Sequence, residues 1–302
     1  MTRPADARLA QSALAASVAL ALVLVLAKLW ALAATGSLAV AASLADSGLD
    51  LIVSLGGLAA VTYAARPPDE DHAFGHSSAE DLAALGQALF ILISAGAIAV
   101  AAIRRLLAPA QTPLEAETSG IAVMALAIVL TIGLVLWQSR VARRTGSRVV
   151  LADRLHYLGD LVPNIGAILS LWASGALGLT QIDSIVALGA AGMLGLGALR
   201  IGGGAWNALM DRAADPAMIA EIERLAGSWP GIHGFHDLKT RTAGSRVFIN
   251  LHVELDGTQS LYDAHEIAAG LVRAILKRYP QAEVIVHKDP VRKARGGTRR
   301  LG

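Results

Sequence analysis

The sequence predicts a membrane-embedded bundle of six helices followed by a small α+β domain in water. Hydrophobic residues make up 54% of the 302 positions and charged residues only 17%, with a mean hydropathy of +0.53, whereas soluble domains are about 25% charged. The apolar residues form long runs up to residue 209 and shorter periodic patterns after it. A net charge of only +2 gives no reason to expect nucleic acid as a partner.

Six apolar runs are long enough to cross a lipid bilayer, which takes about 20 helical residues. They cover residues 12–34, 37–64, 82–107, 119–139, 149–177 and 183–209. Residues 1–11 are predicted to be a short N-terminal tail and residues 12–210 the transmembrane domain. The first run is too long for a signal peptide and the second follows at once, so we expect an uncleaved helix. The sixth run is rich in glycine, which favours close backbone packing without identifying the partner helix.

Positive charges in the short flanking segments predict the orientation of the bundle. Arg3 and Arg8 precede the first run, and four arginines lie between residues 140 and 148. Because short cytoplasmic segments carry an excess of Lys and Arg, both termini are predicted to be cytoplasmic. Arg104 and Arg105, at the end of the third run, argue weakly for the opposite orientation.

The composition changes to that of a soluble domain after Asp211. Helical and strand patterns alternate over 216–228, 235–242, 246–256, 260–278 and 282–288. This order, αββαβ, predicts a ferredoxin-like domain over residues 211–290 with both helices on one face of a small sheet. Residues 291–302 are basic and predicted to be a disordered tail, with contact to lipid headgroups as the alternative.

Ionisable residues form two matched pairs within the apolar runs. Asp46 and Asp50 in the second run, and His156 and Asp160 in the fifth, are each four residues apart, so each pair lies on one helix face. At a rise of 1.5 Å per residue, Asp46 lies roughly 15 Å from the outer side, and His156 and Asp160 lie roughly 12–18 Å from the cytoplasmic side. The two helices run in opposite directions, so both pairs reach the middle of the bilayer. Charge at that depth is costly and marks a functional site. Three carboxylates and one imidazole would suit a tetrahedral divalent cation; protonated carboxylates that only pack against their neighbours are the alternative.

These pairs, the six spans and the αββαβ order resemble the cation diffusion facilitator family, and within it the bacterial zinc and ferrous-iron efflux antiporters. Further similar stretches are DHAFGH (71–76), SWPG (228–231), HDLKTR (236–241) and HKDP (287–290). The resemblance implies a homodimer in the bacterial inner membrane that is not an enzyme. It implies export of Zn²⁺ from the cytoplasm in exchange for protons, with Asp46, Asp50, His156 and Asp160 as the transport site.

Other functions remain open at this point. The main cargo could be Fe²⁺, Cd²⁺, Mn²⁺ or Ni²⁺, since availability as well as ligand type decides selectivity. In the family, a His-Asp pair on the fifth span goes with zinc and cadmium, and an all-Asp site with manganese. A membrane-tethered metal sensor without transport is a further alternative. An ATP-driven pump component is disfavoured because the chain has no Gly-xxxx-Gly-Lys phosphate loop.

The resemblance also implies metal sites outside the bilayer. Asp69, His72 and His76 would form a second, weaker site, and the two histidines would share a helix face if the third helix began this early. A solvated acidic loop is the alternative, since Glu70, Asp71, Glu80 and Asp81 lie nearby. Without cysteine, these sites depend on histidine and carboxylate ligands.

In the soluble domain, the resemblance implies two regulatory Zn²⁺ ions that share one carboxylate. One would be held by His236, His252 and Asp289, and its neighbour by His265, His287 and Asp289. Metal-free surface histidines are the alternative.

The chain departs from the family at one position that matters for the dimer. Ser78 stands where relatives have a lysine, which in them pairs with an aspartate at the position of Asp211. That ion pair cannot form in this chain.

Overall fold

The computed structural model describes residues 4–35, 38–107, 118–161 and 182–291. The chain divides into a helical unit, Ala5–Leu209, and a second unit that begins at Met210. All but the first residue of the predicted basic tail, 291–302, lies outside the described residues.

Six helices are described, wholly or in part, in the first unit. They are α1 (Pro4–Thr35), α2 (Leu38–Ala64), α3 (Ser78–Leu107), α4 (Thr118–Thr145), α5 (described over 148–161) and α6 (Ile182–Leu209). Helix α1 begins ahead of the predicted start at residue 12, so residues 4–11 extend this helix rather than form a separate tail. Proline suits the first position of a helix, and Asp6 in the first turn favours the helix dipole.

Four of these helices are long and apolar enough to cross a membrane. The qualifying stretches within the described residues are Asp6–Trp30, Ser47–Ala64, Ser78–Leu107 and Ser184–Leu209. The fourth predicted span, 119–139, lies within α4, whose side chains are described from residue 128 on, and the fifth, 149–177, is described only as far as residue 161. Neither is among the four qualifying stretches. The count of six therefore stays a prediction.

Helix α6 packs against α3 and α5, and two of its glycines, Gly197 and Gly202, lie at these contacts. Ile91 and Ala95 of α3 form a buried cluster with Leu194 and Ala198 of α6. A Cβ atom on Gly202 would lie 3.2 Å from the Cβ of Ala88 in α3. One on Gly197 would lie 2.7 Å from Cδ2 of Leu155 in α5. An added Cβ at Gly197 would therefore displace the end of the Leu155 side chain, and one at Gly202 would require Ala88 to shift by a few tenths of an ångström.

The second unit has the predicted αββαβ order. Its elements are α7 (Pro216–Gly227), β1 (Gly234–Ala243), β2 (Arg246–Leu255), α8 (Leu261–Arg278) and β3 (Ala282–Pro290). The central strand is β2, antiparallel to β1 and parallel to β3. Asp215 and Ser260 cap α7 and α8, because each side chain accepts a hydrogen bond from a backbone N–H of the first turn.

The core of this unit lies between β2 and the two helices. Every second residue of β2 is buried, as its alternation predicted: Val247, Ile249, Leu251, Val253 and Leu255. These residues pack against Ile222 of α7 and against Leu271 and Ile275 of α8. Asn250, His252 and Glu254 alternate with them, so one face of β2 is apolar and the other carries polar side chains.

Candidate metal centres

The first cluster of candidate ligands lies between α2 and α5. Nε2 of His156 is 3.0 Å from Oδ1 of Asp50. Asp160 completes a group of three whose donor atoms all lie within 4.8 Å of one another. Asp50 and His156 are buried, and the group lines a cavity of about 300 Å³ together with Phe90 and Leu194. The helix spacing that predicted a shared site thus brings three of the four predicted residues together.

Asp46, the fourth predicted ligand, lies one turn before Asp50 in α2. Its side chain falls outside the described part of the structure, so its role as a ligand stays a prediction.

The second cluster lies in the segment between α2 and α3. Helix α3 begins at Ser78, so His72 and His76 lie before it and do not share a helix face. The loop nevertheless brings them to one carboxylate: Oδ1 of Asp69 is 3.3 Å from Nδ1 of His72, and Oδ2 is 3.2 Å from Nε2 of His76. The donor atoms of all three lie within 4.8 Å of one another.

Local contacts keep the Asp69 carboxylate charged and hold the His76 ring in place. The backbone N–H of His72 donates a 2.7 Å hydrogen bond to Asp69 and lowers the pKa of that carboxyl, which keeps it ionised. The His76 ring is buried edge-on against Tyr63, with ring centroids 4.5 Å apart. Nδ1 of His76 is buried and has no hydrogen-bond partner in the part of the chain that the structure describes.

The third cluster lies on the sheet of the second unit. Strand pairing places His236 opposite His252, and His252 opposite His287, with ring centroids 5.0 and 4.6 Å apart. Oδ2 of Asp289 is 3.0 Å from Nδ1 of His252 and 3.3 Å from Nε2 of His236. Its other oxygen, Oδ1, is 3.2 Å from Nε2 of His287. The carboxylate therefore faces histidines on two sides, as a bridging ligand would.

His265 is the predicted ligand that the structure does not bring in. It lies exposed near the start of α8, and the described clusters of three or more donor atoms do not include it. Cross-strand pairing aligns the other three histidines, which lie on strands. His265 lies on α8, so this pairing does not position it. The set of His265, His287 and Asp289 is therefore not assembled here.

Two family models match this chain along most of its length. The cation efflux transmembrane domain matches residues 14–210, and the cytoplasmic domain of cation efflux proteins matches residues 214–291. The chain belongs to the cation diffusion facilitator family. Its relatives in the same family are transporters by name, and the apolar helices α1, α2, α3 and α6 are those of a membrane protein.

Similar proteins include two bacterial members of this family. The chain is 44% identical over 248 residues to the cation-efflux pump FieF of Pectobacterium carotovorum, which covers 82% of each chain. It is 42% identical over 247 residues to FieF of Cronobacter sakazakii, covering 82% of this chain and 81% of that one. The metal-bound C-terminal domain of the CzcD transporter from Thermotoga maritima is 30% identical, with a TM-score of 0.25, and the match covers 26% of this chain and 92% of that domain.

Two polar features of this cation diffusion facilitator were not predicted. Asp153, three residues before His156 on α5, is fully buried and accepts hydrogen bonds from three side chains. Asp81 near the start of α3 is also buried and forms an ion pair with Arg148 of α5. The position of both acids within or beside apolar runs could have marked them as candidates for a buried role. Their partners are distant in sequence, so the sequence pattern does not identify them.

Asp211, whose family partner is missing because of Ser78, forms an ion pair within its own unit. Nη1 of Arg241 is 3.2 Å from its Oδ1 atom. Ser78 is the first residue of α3.

The pH dependence of metal binding at the sheet cluster follows from its ligands. The hydrogen bond from His252 holds the pKa of Asp289 below its ordinary value of 3.8. A depressed carboxyl pKa contributes stability that is present above about pH 4 and is lost only as the pH falls further. Asp289 therefore stays charged between pH 7.5 and 5.5. Because a metal ion and protons compete for the same ligand atoms, we expect Zn²⁺ affinity to fall as the pH is lowered from 7.5 to 5.5, measured by titration with a competing chelator. A fall that begins only below pH 4 would contradict this prediction.

Proposed function

We propose that the protein exports divalent metal cations, chiefly Zn²⁺, from the cytoplasm in exchange for protons. The observation that supports this most is the 3.0 Å approach of Asp50 and His156 from two antiparallel helices, with Asp160 in the same group. Nitrogen and oxygen donors at this spacing suit a tetrahedral zinc ion, and Asp46 would supply the fourth ligand. The family membership supports cation efflux independently.

Competition at this site would couple the two fluxes. The carboxylates and the imidazole bind a metal ion only when deprotonated, so the ion and protons exclude each other. Rigid movement of helices around a fixed site near the bilayer midplane would expose it to one side at a time. Protons from the outer side would then release the metal ion and return to the cytoplasm.

The two remaining clusters would serve capture and regulation. The loop of Asp69, His72 and His76 would raise the local cation concentration, since Glu70 and Asp71 add negative charge beside it. The cluster of His236, His252 and Asp289 would bind regulatory metal. We propose that two copies of the chain pair through this unit; the name of the matching cytoplasmic family, ZT_dimer, supports a homodimer.

Other cargoes are consistent with the same ligands. Fe²⁺, Cd²⁺, Mn²⁺ and Ni²⁺ all accept imidazole or carboxylate donors, and cellular availability contributes to selectivity. Measuring the uptake of each metal under the same conditions would establish the order of preference among them.

The test is zinc flux into proteoliposomes that contain the full chain. With an acidic interior, we expect ⁶⁵Zn²⁺ uptake above that of protein-free vesicles, together with loss of internal protons. Nigericin in potassium buffer, which collapses the pH gradient, should abolish the accumulation. Equal uptake with and without the gradient would contradict proton exchange, and no uptake above protein-free vesicles for any of the five metals would contradict transport.

A companion variant separates a carrier from a sensor. Alanine replaces the four histidines of the second unit that are candidate ligands: His236, His252, His265 and His287. A carrier whose second unit is regulatory should still transport at saturating zinc. If the variant does not transport zinc, the metal site essential for transport lies in the second unit.

A further inference from the structure

A buried carboxylate on α5 ties four helices of the membrane unit together. Asp153 accepts hydrogen bonds from Ser17 of α1 (2.5 Å), Gln138 of α4 (2.6 Å) and Ser54 of α2 (3.3 Å). The first two donate to Oδ2 and the third to Oδ1. Each of the other three helices thus contributes one donor to a single side chain.

The same residues are also bonded to one another. Gln138 donates a second hydrogen bond to Oγ of Ser17 at 2.8 Å. Tyr157, one turn after Asp153, lies 3.1 Å from Oγ of Ser54 through its hydroxyl and donates to the backbone carbonyl of Ser17 at 3.1 Å. We call the set of Ser17, Ser54, Gln138, Asp153 and Tyr157 the Asp153 node. None of its side chains is more than 2% exposed.

The node lies beside the candidate transport site on the same two helices. Ser54 follows Asp50 by one turn on α2, and Asp153 precedes His156 by nearly one turn on α5. Because the two helices run in opposite directions, the Ser54–Asp153 and Asp50–His156 contacts are successive cross-links between them, about 4.5–6 Å apart along the axis. A rotation or slide of α5 that separates Asp50 from His156 would also break the node.

The hydrogen bonding of Asp153 separates it from the metal ligands. Both of its oxygens already accept hydrogen bonds from side chains. The described group of close donor atoms around Asp50 does not include Asp153. A carboxylate can accept at two oxygens at once, so this residue type fits a position where three donors converge.

We propose that Asp153 is a positioning residue whose node fixes the rotation and depth of α5 against α2. Asp50, His156 and Asp160 are thereby preset at metal-binding distance before the ion arrives. The inference rests on the proposed function, because it assigns the node a role in assembling that transport site. Supporting groups of this kind typically change metal affinity or activity by about 10–100-fold.

The decisive comparison is between Asp153→Asn and Asp153→Leu, measured as zinc uptake against zinc concentration. Asparagine keeps the shape and one acceptor, and its new amide donor has an acceptor available. Oε1 of Gln138 has no partner among the described residues and can turn toward it. Leucine has a similar size but no polar atoms, and it leaves buried donors unpaired.

We expect Asp153→Asn to keep its half-saturating zinc concentration within about threefold of the unmodified protein. Asp153→Leu should raise that concentration about tenfold or more, with a smaller change in maximal rate. An Asn variant as defective as the Leu variant would show that the negative charge itself is required, and would overturn a positioning role. So would normal half-saturation in Asp153→Leu.

A second pair of variants decides the matter if Asp153→Leu does not fold. Gln138→Leu removes one donor from the node. Ser139→Ala removes a neighbouring hydroxyl whose hydrogen bond among the described residues goes to the Val135 carbonyl of its own helix, at 2.6 Å. We expect Gln138→Leu to raise the half-saturating concentration several-fold and Ser139→Ala to leave it unchanged. Identical behaviour of the two would overturn the proposal.

Asp50→Ala, assayed beside these variants, separates the two proposals. If Asp50→Ala takes up zinc as well as the unmodified protein does, the proposed transport site is contradicted. If Asp50→Ala loses uptake while every variant of the Asp153 node keeps normal uptake, only the positioning role of Asp153 is contradicted.

Discussion

Replacing Asp50 by alanine is expected to lower proton-driven zinc uptake at least about a hundredfold, since changes to groups that only support metal ligands already cost about 10–100-fold. The carboxylate is 3.0 Å from Nε2 of His156 and bridges α2 to α5. Its loss removes one ligand and one of the two charges that face the imidazole within the described cluster. The measurement is initial ⁶⁵Zn²⁺ uptake into proteoliposomes with an acidic interior.

Ile52→Ala is the matched control for Asp50→Ala. Ile52 lies on the same helix, two residues further on, and its side chain is 66% exposed, as expected for a lipid-facing residue. This variant truncates a side chain of α2 without touching the cluster, so uptake should stay close to that of the unmodified protein. Equal loss in both variants would indicate damage to the helix rather than to a metal site. Retained uptake in Asp50→Ala would remove Asp50 from the transport site.

The second unit was predicted well because its signals are local. Alternation along 246–256 identified the buried face of β2, and the two amphipathic patterns identified α7 and α8. Each signal arises from residues within one turn or one strand repeat. The alignment of His236, His252 and His287 depends instead on strand register, which alternation alone does not specify.

The membrane site was predicted in part for a similar reason. The four-residue spacing of His156 and Asp160 and their estimated depth require only helix geometry, and the structure brings both to Asp50. The partners of Asp153 could not be predicted in this way. Ser17 is 136 residues away in the chain and Ser54 is 99, so no periodic pattern connects them. Single polar residues in apolar runs identify their partners only once the helices are packed.

The local structure of the loop cluster depended on where the third helix begins. His72 and His76 would share a helix face only if the third helix began before them, and α3 begins at Ser78. The two rings meet because Asp69 accepts the His72 backbone N–H and approaches both imidazoles. Spacing in a loop therefore carries less structural information than the same spacing inside a long apolar run.

Replacing His156 by aspartate is expected to shift the metal preference of the transporter from zinc toward manganese. The change removes the only nitrogen donor of the described membrane cluster and leaves oxygen ligands, which suit Mn²⁺ better than Zn²⁺. We expect the ratio of Zn²⁺ to Mn²⁺ uptake, each measured at half-saturation under the same pH gradient, to fall at least about tenfold. The shorter aspartate side chain should also lower the absolute rates for both ions.

Two further variants test whether this change of metal preference depends on the imidazole of His156. His156→Gln removes the ring without adding a charge, so uptake of both metals should fall and no preference for Mn²⁺ should arise. His233→Asp makes the same substitution at an exposed histidine outside the described clusters and should leave the ratio unchanged. If His156→Asp keeps the original ratio, the imidazole does not select the ion. Selectivity would then have to arise at the loop cluster or from the supply of metal, and the geometry at Asp50 would account for binding alone.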